Sequence, residues 1–385
     1  MRDVAIIGVG MHRFGERWEM SLRDLAFDAA RRAVEDAGVD RVDSIVTGSM
    51  SSGLFVEQEH LGTMTADLLG MGPIPASRVE AACASGGMAL RAGFAEVASG
   101  LHDLVLVVGV EKMTDVGSDR ATAILATAAD QEYEAFHGVT FPGLSAMIAR
   151  AYMHRYGATP EQLAEVAVKN HQHGMLNDLA QFRMPLTVDA VLNSPMVADP
   201  LHMLDCAPLS DGAAAVLLCP MATARELTKT APVHLAGIGA ATDRIALYRH
   251  KVLTRIPAIA EAAFSAFQMA DCGPNDLDLA ELHDGFTIME VCALEEIGLV
   301  ESGKGAEAAA SGLTSLDGRL PVNPSGGLKS KGHPVGATGV SQVGELALQL
   351  RGDAGERQIA DARIGLAQNL GGSGGTAVVS ILKAT

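Results

Sequence analysis

The chain is written twice, and this duplication restricts its fold more than any other feature. Val4–Gly10 reads as a buried strand and Leu22–Gly38 as a helix with apolar residues at Leu25, Ala26, Ala29, Ala30, Ala33 and Val34. Val42–Gly48 reads as the next strand. The same order recurs in Val233–Gly239 (strand), Ile256–Met269 (helix, apolar at Ile259, Ala262, Ala263, Ala266 and Phe267) and Leu277–His283 (strand). The turn Ala81–Gly87 with its helix Met88–Ser99 corresponds to a second glycine-rich turn with the helix Gly339–Leu350. Leu104–Gly109 corresponds to Ile364–Gln368, and Ser210–Leu218 to Ser373–Ile381.

The fold class that follows is α/β: two mixed-sheet halves, layered with helices and packed against each other. The repeat is too long for a solenoid. A length of 385 residues fits two domains, and 42 glycines suit tight strand-to-helix turns. The expected first half spans 1–117 and 201–225, and the second 226–385. An insertion at 118–200 interrupts the first. It carries Phe136–Gly143, a helix near Ser145–Tyr156, and another over Thr159–Asn177. The latter opens with an N-cap at Thr159, Pro160 at the first helical position and acidic Glu161. A long excursion of this kind commonly covers a binding site.

Asn323–Gly339 places one histidine, His333, among five glycines and two prolines, just before a helical stretch. Glycine lets backbone approach a ligand closely, and proline fixes the chain on either side. An imidazole held in this way can act as a base near neutral pH. Lys329 and Lys331 stand beside it, read equally as a local anion site or as solvated surface.

Cys83 lies at a strand-to-helix junction flanked by small residues. The positive end of a helix dipole there favours the thiolate. The competing reading is a buried small hydrophobe, which is accepted for Cys206, Cys219, Cys272 and Cys292. His283 ends a strand in Glu-Leu-His-Asp-Gly-Phe, where polar side chains point towards a mouth that collects ligands, and Asp284 reads as the cap of the following helix. His137 stands among glycine and proline. His154, His171, His173 and His202 lack such a setting. A thiol with imidazole partners is a route to acyl transfer.

Composition excludes other classes. A net charge of −17 and 4% aromatic residues argue against nucleic acid. No apolar run is long enough for a membrane span. Five scattered cysteines without a CxxC pair give no zinc ribbon and no metal site. With no secretory leader, they point to a reducing, cytoplasmic compartment.

These segments together resemble the thiolase superfamily. Ala-Cys-Ala-Ser-Gly-Gly, His-Asp-Gly-Phe, Asn-Pro-Ser-Gly-Gly…Gly-His-Pro-Val-Gly-Ala-Thr-Gly and Asn-Leu-Gly-Gly-Ser-Gly-Gly run nearly end to end. The His-Asp form is similar to the sterol-carrier-type and archaeal branch. The resemblance implies that Cys83 is acylated by acyl-CoA, that His333 takes its proton, and that His283 holds a thioester oxygen. The N–H groups of Cys83 and Gly371 would form a second oxyanion hole. Asn323, Ser325, Gly326, Lys329, Lys331, Phe286, Asn369 and His137 are the candidate substrate contacts, with CoA under the insertion. Coenzyme A enters as a thioester substrate and not as a permanently bound cofactor. The resemblance further implies a homodimer or tetramer, a zinc-ribbon/OB-fold partner protein and a hydroxymethylglutaryl-CoA synthase. One departure stands out. The acid/base cysteine usual in the family is absent: its two known positions read Asn369 and Gly285. α-Carbon deprotonation then falls to His283 or His333. Acyl transfer to a non-CoA acceptor would not need that step, and a non-catalytic acyl-CoA or lipid-binding protein would need no chemistry.

Overall fold

The computed structural model describes residues 1–385. Its strands are β1 (Val4–Met11), β2 (Ser44–Gly48), β3 (Ala76–Val79), β4 (Val105–Glu111), β5 (Met196–Ala198), β6 (Leu201–His202), β7 (Gly212–Pro220), β8 (Val233–Thr242), β9 (Leu279–Glu281), β10 (Ile364–Gly371) and β11 (Thr376–Lys383). β5 and β6 form a small hairpin. The other nine form one sheet in the order β3-β2-β4-β7-β1-β8-β11-β10-β9.

Outward from the β1–β8 junction the two arms match. β1 and β8 are followed by antiparallel β7 and β11, antiparallel β4 and β10, and parallel β2 and β9. The two expected mixed-sheet halves are both present and join edge to edge. Val4–Ile6 pairs with Val233–Leu235, so the halves share a continuous sheet. The helices still give a layered body. Leu22–Ala37 covers the first arm and Pro257–Ala270 the second. The Ser85–Ser99 and Thr338–Arg351 helices lie together between the arms, with Leu90, Phe94 and Val97 sharing a core with Val340, Val343 and Leu346.

Glycine explains the outer layers. A Cβ at Gly8 or Gly10 would meet Ala33 O at 2.1 Å or Ala29 O at 2.0 Å. In the second arm Gly237 and Gly239 would meet Ala266 O at 2.3 Å and Ala262 O at 2.0 Å. Each helix therefore rests on bare strand backbone, and the alanine stripe supplies the matching flat surface. No helix is long and apolar enough to cross a membrane.

Three boundaries differ from expectation in ways that matter for the site. The first inner helix starts at Ser85, so Cys83 lies in the turn before it. β9 ends at Glu281 and leaves His283 just beyond. β10 runs on to Gly371 because Asn369–Gly371 pair with Thr376–Val378 of β11. In the insertion, Thr159 caps Pro160–Gly174 and completes a capping box with Gln162. The preceding helix begins earlier than expected, at Phe141, where the Thr140 side chain accepts from Gly143 N–H.

Candidate active site

The two inner helices bring their N-terminal turns together across the middle layer. A Cβ on Gly86 would lie 2.7 Å from Gly336 O, and one on Gly339 would lie 2.3 Å from both Gly87 N and Asn369 Oδ1. Only bare backbone permits this approach, and it sets Cys83 of one half facing His283 and His333 of the other. All three line a cavity of about 210 Å³. Its wall is otherwise mostly apolar, with Met113, Phe141, Phe286, Met289 and Leu370 prominent, and Thr122, Leu125, Phe141 and Pro142 come from the insertion.

The Cys83 turn is strained and pinned. Ala82 has φ of 52°, in the left-handed region that a side chain disfavours. Ser85 Oγ holds the turn by accepting from Ala81 N–H (2.9 Å) and donating to Ala82 O (2.6 Å). The thiolate expected at the helix end is not what the site holds at rest. Burial pushes the thiol up to about 12, and the charges of Glu111 and Glu80 add to this, while the N–H groups of Gly372 and Cys83 itself pull the other way. Desolvation outweighs the dipole, so Cys83 keeps its proton at neutral pH.

His333 lines the same cavity, held through both its backbone and its ring. Its backbone N–H donates to Ser210 Oγ (2.9 Å), and its Nδ1 lies 2.7 Å from Thr338 Oγ1. The Thr338 hydroxyl donates to Pro334 O at 3.0 Å, so it accepts from Nδ1–H of the ring. That assignment leaves Nε2 with a free lone pair. Burial lowers the pKa of His333 to about 3, so the ring is neutral at pH 7.

His283 stands with its ring centroid 4.9 Å from that of His333, at 88°. Burial first, then His333, lowers its pKa well below the ordinary value. Its Nδ1 faces Asn369 Nδ2 at 3.2 Å and Leu370 N at 3.3 Å. Gly285 stands beside it: a Cβ there would sit 3.3 Å from His283 Nε2.

The turn around His333 rests on buried charge. Asp284 was expected to cap the helix after it, but its carboxylate accepts instead from Leu328 N (2.6 Å), Lys329 N (3.2 Å) and Asn170 Nδ2 (2.7 Å). It reaches across to the short Gly327–Lys331 helix because the chain brings that helix back over His283. Burial and neighbouring Glu290 raise its pKa to about 7. Asn323 Oδ1 accepts from Leu282 N, and its Nδ2 donates to Glu290, which also meets Lys169 at 2.8 Å. Ser325 donates through N and Oγ to Glu281.

These placements sort the sequence candidates. Cys83, His283, His333 and Phe286 line the cavity. Gly371 packs behind it, where a Cβ would strike Ala81 O at 2.5 Å, and its neighbour Gly372 lines the wall. Asn323, Ser325, Gly326, Lys329 and Lys331 do not reach the cavity; they are the buried scaffold of the His333 turn. Neither lysine is surface. Lys329 Nζ donates to Cys206 O at 2.5 Å, and Lys331 sits 5.6 Å from the Phe14 ring centroid with Glu281 and Glu345 nearby. Burial lowers the pKa of both, that of Lys329 to about 8, while Cys206, Asp284 and Asp205 oppose it at Lys329 and Glu345 and Glu281 oppose it at Lys331. His137 is exposed on the insertion, edge-on to Phe136 and outside the cavity. Asn369 lies behind the wall, joining Cys83 to His283.

Sequence reasoning set Cys206 aside, yet it lines the cavity. The signal is a long-range pairing: Ala207 N donates to Gly285 O at 2.9 Å, which draws 206–209 beside His283.

Comparison with known proteins gives a consistent picture. Residues 4–222 match the family "Thiolase, N-terminal domain" and residues 239–384 match "Thiolase C-terminal domain-like". An acetyl-CoA acetyltransferase of Methanothermobacter thermautotrophicus is 54% identical over 383 residues, covering 99% of both chains. A benzoylsuccinyl-CoA thiolase subunit, BbsB of Thauera aromatica, is 35% identical over 91% of this chain and 89% of its own. Among solved structures, the Ltp2-ChsH2(DUF35) aldolase superposes with a TM-score of 0.86 at 27% identity, over 99% of this chain and 98% of that one.

Proposed function

The chain belongs to the thiolase family, and from that premise we propose that it makes and cleaves acetoacetyl-CoA through an acyl group carried on Cys83. The observation that carries this reading is one cavity holding a protonated thiol, an imidazole with a free lone pair and a second imidazole. His333 Nε2 takes the Cys83 proton as sulfur attacks the thioester carbonyl. The N–H groups of Cys83 and of the Gly371–Gly372 turn receive the oxyanion. CoA thiolate leaves and collects the proton from His333. A second thioester then enters, its α-carbon gives up a proton to a base in the cavity and attacks the acyl carbonyl, and the C–S bond to Cys83 breaks with the sulfur recovering that proton.

CoA would enter beneath the insertion, whose Thr122, Leu125, Phe141 and Pro142 form one wall. Arg249 and Lys251 are exposed on the loop after β8, which packs on the 373–375 turn through Ser373 Oγ and Asp243 N. They suit the CoA phosphates. A mostly apolar wall also fits a 3-oxoacyl group larger than acetoacetyl, in keeping with the benzoylsuccinyl-CoA name of one relative. We place the protein in the cytoplasm, where its five free cysteines stay reduced. It would act as a homo-oligomer, with a partner chain as the two-component name of its structural relative suggests.

Mass spectrometry after incubation with acetyl-CoA tests the intermediate: acetyl on Cys83 is expected, and no adduct would sink the reading. Acetoacetyl-CoA with CoA should yield acetyl-CoA. An adduct without that cleavage would point instead to acyl transfer onto a non-CoA acceptor.

A further inference from the structure

Thiolase chemistry needs a base for the α-carbon, and the cavity offers few. Its 18 lining residues include no Asp, Glu, Lys or Arg. Cys206, the second lining thiol, donates to His202 O at 3.5 Å, and burial pushes it up to about 12. Two imidazoles remain, and Asn369 distinguishes them. Its Oδ1 accepts from Gly87 N–H at 3.1 Å, and its Nδ2 donates to Cys83 O at 3.0 Å. Turning the amide over would set N–H against N–H and oxygen against oxygen, so the orientation is fixed. The remaining Nδ2 hydrogen points at His283 Nδ1, where Leu370 N–H also arrives. An atom facing two donors is the acceptor, so the His283 proton sits on Nε2. That Nε2–H faces the space left open by Gly285.

Resting on the thiolase reading, we propose that Asn369 is a positioning residue that holds His283 as an Nε2–H donor, leaving His333 as the one base in the cavity. Both proton transfers then run through His333. In acylation its Nε2 takes the Cys83 proton and passes it to departing CoA thiolate. In condensation the same Nε2 takes a proton from the α-carbon of the second acyl-CoA. The C–H electron pair delocalises into the thioester, whose oxygen accepts from His283 Nε2–H. The α-carbon then bonds to the acyl carbonyl carbon, the C–S bond to Cys83 breaks, and the sulfur recovers its proton from His333. An amide at the usual cysteine position thus takes no part in proton exchange, but it decides which imidazole does.

In a Cys83→Ala background no acyl-enzyme forms, so exchange of acetyl-CoA methyl hydrogens with D2O, read by mass spectrometry, reports the α-carbon base alone. Adding His333→Gln should cut exchange about 10²–10⁴-fold. Adding His283→Gln, which keeps an N–H donor and lacks a basic nitrogen, should cost about tenfold or less. Loss of exchange in both, or its survival without His333, overturns the assignment. Asn369→Asp replaces the side-chain donor to His283 with a charged acceptor that outweighs the one remaining donor, Leu370 N–H, so neutral His283 would carry its proton on Nδ1 and present a bare Nε2. Condensation should fall about 10²-fold and should decline further as pH rises and His283 loses its second proton, a limb the native protein lacks. A pH profile parallel to the native one overturns the role of Asn369. Failure of native Cys83 to take acetyl from acetyl-CoA counts against the thiolase reading itself. Acetylation with exchange that survives His333→Gln counts against this inference alone.

Discussion

The Cys83 turn and the His333 turn occupy equivalent places in the two halves, yet they are built from opposite materials. The first is half-open to the cavity, with a strained Ala82 and a backbone tied to side chains only at the Ser85 hydroxyl, the exposed Glu80 and the Asn369 amide. The second is buried on a lattice of charges, with Asp284, Glu281, Glu290, Lys169, Lys329 and Lys331 all enclosed. The turn that opens on the cavity is lightly tied. The half that carries both cavity imidazoles is over-determined. Duplication therefore supplied the scaffold twice, and the two turns then took separate tasks: access in one, electrostatic order in the other.

The contrast can be tested by separating activity from stability. The largest effect should come from Cys83→Ala, which removes the nucleophile from the lightly built turn. Acetoacetyl-CoA cleavage should fall by about 10⁴-fold or more, while the urea midpoint of unfolding hardly moves. A large loss of stability would show that the first turn is structural after all.

Glu290→Ala should do the reverse through the second turn. It leaves Lys169, Asn170 and Asn323 facing an empty place, and breaking a buried pair in this way costs about 3–5 kcal/mol. Urea unfolding at neutral pH measures it.

A smaller effect is a pH slope from His173, whose Nδ1 faces Asn323 O at 3.0 Å. Burial, and then Lys169, lower its folded pKa to about 3, below the ordinary histidine value of 6.5. The folded protein therefore stays unprotonated where the unfolded chain takes a proton. Its contribution is intact above pH 6.5 and is lost as pH falls towards 3, by about 1.4 kcal/mol per unit. His173→Gln should flatten the acid slope of stability between pH 6.5 and 5. An unchanged slope would assign the acid sensitivity elsewhere.

The smallest stability change should follow Ser85→Ala. Loss of the Ala81 and Ala82 hydrogen bonds costs about 1 kcal/mol, yet Cys83 acylation, followed by CoA release, should slow about tenfold as the turn relaxes. Equal small losses in both would remove the claim that this serine aims the nucleophile.

Much of this was legible in the sequence because it is local. The glycine pairs at 8/10 and 237/239 and the alanine stripes announce the duplicated strand–helix unit. Cys83, His283 and His333 sit in turns whose composition marks them. The misreadings share one cause: partners remote in the chain. Lys329 and Lys331 look like surface charges because Cys206, Glu281 and Glu345 are out of view. Asp284 looks like a local cap because the backbone it serves lies 44 residues on. Asn369 looks like a missing cysteine, and its tie to Cys83 spans 286 residues.

The glycine contact between Gly87 and Gly339 carries a consequence for how the protein comes of age. Neither half alone carries the three cavity side chains Cys83, His283 and His333. The reactive geometry arises only where two distant stretches dock to within a bare backbone's width. On the proposed reading, catalytic competence reports completed assembly: activity should return on refolding only once both halves have docked.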